Sequence, residues 1–137
     1  MNTKINEIAK RLNGQGKMSF LSAATGEQIS LFEKENGIKL PQCYKEWLLF
    51  SDGGEFFLPA GVQLHGVVHK PLLNANNDDR PNDSFIVMGV LSFGDPVLFK
   101  KGSEEICIYN HSSGKIENDE IYPDFFAFLN DLQNIVG

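Results

Sequence analysis

The chain has 137 residues, 42% of them hydrophobic and eleven of them Phe, which predicts one folded domain over residues 1–137 and excludes a wholly disordered chain. Its net charge of −6 divides unevenly, since residues 1–50 carry seven basic and five acidic side chains and residues 51–137 carry five and thirteen. The resulting −8 in the second part argues against binding nucleic acid there, because phosphates are contacted by cations. Such a surface would suit a basic protein partner, although acidic loops that serve only solubility are the alternative.

The cysteines and the N-terminal sequence predict a reduced, cytoplasmic protein. Cys43 and Cys107 lie in apolar runs and match no metal or redox spacing, so both are predicted to be structural, with a disulfide or a nucleophile as alternatives. The sequence MNTKINEIAKRLNG lacks the apolar core of a signal peptide, and no stretch reaches the length of a membrane helix. We therefore expect no membrane association.

Two helices are predicted before residue 37. Apolar residues at helical spacing indicate a short amphipathic helix over residues 2–12, ended by an Asn-Gly pair. Thr25 and Gln28 have the spacing of a capping box, in which each side chain satisfies the other residue's backbone N–H. They predict a second helix over residues 26–36, with Gly37 as the left-handed residue that follows it.

A third helix is predicted to start at Pro41, since proline is tolerated at the first helical position. Its apolar residues form two adjacent rows, which predicts that Trp47 and Leu48 are core residues. Gly53 and Gly54 follow in the sequence YKEWLLFSDGGEFF, and we interpret them first as the helix terminus, where a positive φ is required. If they also line a binding groove, that second role depends on the first.

Strand-type sequence begins after the two glycines. The segment EFFLPAGVQLHGVV is broken by Pro59, Gly61 and Gly66, while SFIVMGVLSFG, PVLFKK and EEICIYN are rich in residues that favour strands. HSSGK is predicted to be a turn into a further strand. The polar segment KPLLNANNDDRPND is predicted to be a surface loop, and Phe93 and Ile108 are predicted to be core residues.

A closing helix over residues 123–136 is predicted from Pro123 at its start, Asp124 in its first turn and a periodic apolar face that includes Phe125 and Leu129. The chain thus reads as helices, then strands, then one helix. This order predicts an α+β fold, with N-terminal helices and a C-terminal helix packed on a mainly antiparallel sheet of four to six strands.

The sequence contains no pattern that predicts catalysis, a cofactor or a metal. His65 and His69 lie in a predicted strand, where side chains four residues apart are separated by roughly 13 Å and are poorly placed to share a metal. His111 is predicted to cap a turn. DGGEFF and SFGDP lack the spacing of phosphate-binding loops, and the carboxylates lie in polar segments typical of solvated loops. A small hydrolase with an unrecognised site remains an alternative.

Four stretches, GIKLPQCYKEWLLFSDGGEFF, GDPVLFKK, EEICIYNHSSGKI and FFAFLNDL, together resemble the SUKH superfamily, the Smi/Knr-like domain, over residues 25–132. The chain departs from the family pattern at Asp52, where the family commonly has Asn, and residues 70–84 match nothing in it. The resemblance implies an α+β domain without known catalysis. Bacterial members are mostly immunity proteins that neutralise polymorphic toxins, many of them nucleases, while fungal members regulate cell-wall synthesis as interaction hubs.

The resemblance therefore implies a non-enzymatic immunity protein that binds a toxin, with a regulatory interaction scaffold as the alternative. The acidic excess past residue 50 adds the expectation that the toxin domain is basic. Complementary charge accelerates the encounter of two proteins. The partner-binding residues predicted on this basis are acidic residues in three parts of the chain, namely Asp52, Glu55, Asp78, Asp79, Asp83, Glu117, Asp119 and Glu120.

Overall fold

The computed structural model describes residues 3–57, 61–68, 84–92, 94–110 and 112–136, which form four helices and one six-stranded sheet. In chain order these elements are α1 (Thr3–Gln15), α2 (Gly26–Asn36), α3 (Gln42–Leu48), β1 (Gly54–Phe56), β2 (Val62–Leu64), β3 (Phe85–Leu91), β4 (Pro96–Lys100), β5 (Ile106–Asn110), β6 (Lys115–Tyr122) and α4 (Phe125–Val136). The strands lie in the order β1 to β6, and every neighbouring pair is antiparallel. The predicted α+β class and antiparallel sheet are confirmed.

One face of the sheet and all four helices enclose the main core. Most strands contribute every second side chain to it, as the two-residue period of a strand requires, whereas β3 contributes Ile86, Met88 and then Leu91 and has a register shift between Val87 and Gly89. Of the six predicted core residues, five are at most 1% exposed, namely Trp47, Leu48, Ile108, Phe125 and Leu129. The sixth, Phe93, lies outside the described residues, as do His69, His111 and the predicted loop over residues 70–83.

The alternate side chains of the central strands form a second, smaller apolar cluster on the opposite face of the sheet. Val87, Leu98 and Cys107 are buried there. Both cysteines are free thiols, and Cys43 is half-buried against the main core. The predicted structural role therefore fits Cys107 fully and Cys43 in part.

The first two helices follow the prediction closely. The second occupies residues 26–36 as predicted, with both hydrogen bonds of the Thr25–Gln28 capping box and with Gly37 at φ 64° after its last turn. The first runs on to Gln15, three residues past its predicted end. The Asn-Gly pair did not stop it, because helix propensity is only a weak preference, and the N–H of Gly16 still donates to the carbonyl oxygen of Leu12 at 3.1 Å.

The interpretation of Gly53 and Gly54 as a helix terminus was wrong. The third helix ends at Leu48, and the two glycines instead lead into β1, at φ 94° and 132°. Gly53 is required by close packing as well as by its φ, since a Cβ there would lie 2.4 Å from the carbonyl oxygen of Leu64 in β2. The predicted positive φ is confirmed, but its cause is the approach of a neighbouring strand.

The boundaries of the third and fourth helices differ slightly from the prediction. Pro41 lies just before the first residue of α3, and α4 begins at Phe125 rather than at Pro123. Asp124 precedes α4 as its N-cap, because its Oδ1 accepts a hydrogen bond from the backbone N–H of Ala127 at 2.8 Å.

Candidate partner-binding site

The turn between α3 and β1 is held by buried polar side chains. The indole N–H of Trp47 and the hydroxyl of Ser51 both donate to the carbonyl oxygen of Gly53, at 3.0 and 2.8 Å. The same hydroxyl oxygen accepts a hydrogen bond from the backbone N–H of Leu21 at 2.9 Å. These contacts fix the SDGG turn against the loop that precedes α2.

Asp52 lies at the centre of this turn and is 0% exposed. Its Oδ1 accepts the backbone N–H of Val67 at 2.7 Å, and its Oδ2 accepts that of Val68 at 2.9 Å; we call these two hydrogen bonds the Asp52 clamp. Gly66 completes the contact, since a Cβ on it would lie 2.2 Å from Oδ1. A buried carboxylate needs such charge-assisted bonds to offset its lost hydration.

The Asp52 clamp corrects the prediction that Asp52 contributes to an exposed acidic surface. Its carboxylate faces the main chain after β2 and is closed off from solvent. It therefore offers no direct contact to a partner in this fold.

Tyr44 holds the same segment from α3. Its buried hydroxyl donates to the carbonyl oxygen of His65. Burial, and secondarily the nearby charge of Asp52, raises the pKa of Tyr44 far above its ordinary value. The hydroxyl therefore serves as a neutral hydrogen-bond donor, and the segment 65–68 is fixed by two buried side chains.

Glu55 and Glu120 lie in strands at opposite edges of the sheet. Glu55, in β1, is half-buried and accepts a hydrogen bond from Gln63 at 3.2 Å, while its backbone pairs with Ser19. Glu120, in β6, is also half-buried. Five inter-strand steps separate β1 from β6, or about 24 Å at the usual strand spacing. The structure does not bring these two predicted residues together.

The acidic stretch of β6 coincides with an irregularity in its pairing. Tyr109 pairs with Ile116 and Cys107 with Ile121, so two steps along β5 correspond to five along β6. Three extra residues are therefore accommodated here, and such bulges bend an edge strand. The stretch contains Glu117, Asp119 and Glu120. The structure describes the side chain of Glu120 but not those of Glu117 and Asp119. Asp78, Asp79 and Asp83 lie outside the described residues altogether.

Several acidic residues that the sequence counted toward a charged surface have contacts within the fold. Glu104, in the loop before β5, accepts the backbone N–H groups of Gln42 and Cys43 at the start of α3, at 2.7 and 3.1 Å. Asp131 accepts the hydroxyl of Tyr122 at 2.8 Å. Sequence reasoning missed Glu104, because its partners lie 61 and 62 residues away and leave no local signal.

The sequence that forms this fold matches a known protein family. The sequence profile of the SMI1/KNR4 family, SUKH-1, matches residues 23–131. The chain belongs to the SMI1/KNR4 family. Its SUKH domain thus includes α2, α3, the whole sheet and most of α4. The comparison with curated proteins gives no match.

In this SUKH domain the buried polar groups in α3 and in the turn after it organise the main chain. Asp52, Ser51 and Tyr44 all have backbone groups as hydrogen-bond partners. Across the described residues no group of three or more His, Cys, Asp or Glu side chains is placed to hold a metal ion. None of the helices in the described ranges is both long and apolar enough to cross a membrane.

Proposed function

We propose that this SUKH domain is an immunity protein, which binds a basic toxin domain and neutralises it without catalysis. The observation that carries the proposal is the family match, which spans 109 of the 137 residues. Domains of this family are associated with binding toxin partners. Neutralisation by binding requires a stable complementary surface, and the buried contacts after α3 support such a surface by fixing the backbone.

The charge distribution supports a cationic partner. The chain carries −6 overall, and complementary charge accelerates association by orders of magnitude at low ionic strength. Because Asp52 is buried, the proposed contacts are the other seven acidic residues, namely Glu55, Asp78, Asp79, Asp83, Glu117, Asp119 and Glu120. Glu55 and the β6 stretch would have to contact separate parts of the toxin, because they lie in opposite edge strands.

Co-expression with the toxin-like product encoded beside the gene tests this proposal. The expected result is that the chain restores growth to cells that express the toxin and co-purifies with it. A matched control replaces Trp47, which is fully buried, with Ala, and the unfolded variant should not rescue growth. Growth that is not restored by the folded wild-type chain would overturn the immunity function.

The same experiment separates the alternatives. A regulatory scaffold would co-purify with a host protein and would leave the toxicity unchanged. A hydrolase would inactivate the toxin, or its product, at substoichiometric amounts and without a stable complex.

A further inference from the structure

The smaller apolar cluster, on the sheet face that points away from the four helices, extends to the edge strand β6. Ile121 in β6 lies directly opposite Cys107 in β5, so it projects from this same face, and its side chain is 42% exposed. Tyr109 and Ile116 form the next described pair of these two strands, pack against the cluster and are half-buried. We call Tyr109, Ile116 and Ile121 the β6 apolar patch.

The two edges of the sheet differ in what borders them. At the β1 edge, the backbone groups of Ser19 and Glu55 exchange two hydrogen bonds, at 2.8 and 2.9 Å, so main chain of the same domain already lies there. At the other edge β6 pairs with β5 on its inner side, and no strand of the described chain lies beyond it. The β6 edge is therefore the more accessible one for a partner.

The sequence of β6 favours a cationic partner over a second copy of the chain. The strand carries one basic and three acidic residues, and the three extra residues in its pairing with β5 fall within the acidic stretch. If two copies paired along β6, their acidic stretches would lie opposite each other at a bent edge, and both the charge and the bulge oppose such pairing. A basic surface would gain from the same charges.

We propose, resting on the proposed function, that the basic toxin domain docks on the β6 apolar patch and on the acidic stretch beside it. Ile121 is the most exposed apolar contact, and Tyr109 adds an aromatic side chain of the kind that is enriched at the centres of interfaces. Glu120, next to Ile121 in the strand, contributes to the charged rim. The surface thus combines an apolar centre with an acidic border.

Ile121→Lys tests the apolar contact in the complex with the toxin domain encoded beside the gene. Lysine removes the apolar group and places a like charge against the cations of the toxin, so the dissociation constant measured by calorimetry should rise at least tenfold. The thermal midpoint should stay near that of the wild type, because the side chain is exposed and the stem of a lysine can lie along an apolar surface.

Leu31→Lys in α2 is the matched control for this variant. Leu31 is also exposed, at 56%, it changes the net charge by the same amount, and it lies in the helical layer rather than on the β6 face. It should bind the toxin nearly as the wild type does. If Ile121→Lys and Leu31→Lys bind with equal affinity, the docking surface is wrong while the immunity function stands.

Two glutamates in opposite edge strands provide an independent test. Glu120→Gln and Glu55→Gln each remove one charge from a half-buried side chain, in β6 and in β1. Association with the toxin at low salt should slow more for Glu120→Gln than for Glu55→Gln, because its charge borders the docking surface. The reverse order would place the toxin at the β1 edge and overturn the proposal.

The oligomeric state of the free chain separates the toxin from a second copy as the occupant. Light scattering should give a monomer for the wild type. A wild-type dimer that Ile121→Lys dissociates would assign the β6 apolar patch to a second copy and refute docking of the toxin there. A wild-type chain that binds no toxin would refute the proposed function together with this docking surface.

Discussion

At the residue scale, the turn after α3 depends on glycines, because the missing Cβ of each leaves room for a group of another residue. Gly66 has no Cβ, and Asp52 takes up that space with its carboxylate. Gly53 leaves room for the backbone of β2 in the same way. The acidic residue and the glycines of this turn therefore constrain one another, although they are separated by up to 14 positions in the sequence.

We expect Gly66→Ala to destabilise the fold by about 2–4 kcal/mol, because its Cβ would lie 2.2 Å from Oδ1 and 2.5 Å from the backbone oxygen of Asp52. Urea unfolding at neutral pH measures the change. Gly14→Ala in α1 is the control, since nothing lies within 4 Å of its Cβ and alanine favours a helix. Equal stabilities of the two variants would contradict the packing of Gly66 against Asp52.

Stability should fall at alkaline pH. Burial, with the nearby charge of Glu105 second, raises the pKa of Cys107 from 9.0 to about 12, and the pKa of Tyr44 is raised from 10.0. A raised pKa means that the unfolded chain loses its proton first, so this contribution to stability is complete below pH 9 and is lost as the pH rises toward 12. Unfolding midpoints in urea at pH 7, 9 and 10.5 test this. Cys107→Ala should flatten the decline that begins near pH 9, and an unchanged slope would refute the role of the thiol.

At the element scale, the seven-residue helix α3 depends on a distant side chain. Glu104 accepts the N–H groups of Gln42 and Cys43, which have no partner within the helix because they lie in its first turn. A carboxylate at this position also interacts favourably with the helix dipole. The loop between β4 and β5 thus stabilises the helix that carries Trp47.

Glu104→Ala should therefore reduce the free energy of unfolding by about 0.5–1 kcal/mol, a modest loss because the site is exposed. Chemical denaturation at low ionic strength gives this value. Glu105→Ala, the adjacent exposed acidic residue, is the matched control and should have a smaller effect. A greater loss for Glu105→Ala than for Glu104→Ala would be incompatible with the capping of α3.

The difference between local and distant hydrogen-bond partners explains which elements could be predicted from the sequence. The boundaries of α2 were correct because its capping box and Gly37 are local signals. The burial of Asp52 and the capping of α3 by Glu104 could not be predicted, because their hydrogen-bond partners lie in distant segments that meet only in the folded protein. The extra residues of β6 were missed for a related reason, because the register depends on β5 as much as on β6 itself.

At the scale of the whole molecule, the order of the sheet divides the proposed acidic contacts. Glu55 belongs to the strand at one edge and the stretch 117–120 to the strand at the other. A toxin that uses both would have to span the sheet or reach around it. The charge count alone left open whether these residues share one surface, because it contains no information on which strands are neighbours.

Two sets of charge-neutralising variants test the acidic contacts. Asp78, Asp79 and Asp83 are replaced together by Asn, and Glu117 and Glu120 are replaced together by Gln. Each set should slow association with the toxin domain several-fold at low salt and much less at high salt, because the steering is screened. Stopped-flow association rates measure this, with the exposed Glu7→Gln in α1 as the control. Unchanged rates and salt dependence in both sets would refute the acidic-contact mechanism, even where the immunity function holds.

The nearest-neighbour order of the strands has a consequence for how the chain acquires its fold. Each strand pairs with the strands next to it in sequence, and every connection except the one between β2 and β3 has at most five residues, so most of the hairpins can form from short segments as the nascent chain lengthens. The contact between α1 and α4 is different, since Arg11 donates to Asn130 across 119 positions. Part of the apolar face of α1 therefore stays uncovered until α4 has been synthesised. Docking of α4 should therefore follow formation of the sheet, and that step closes the helical layer over it.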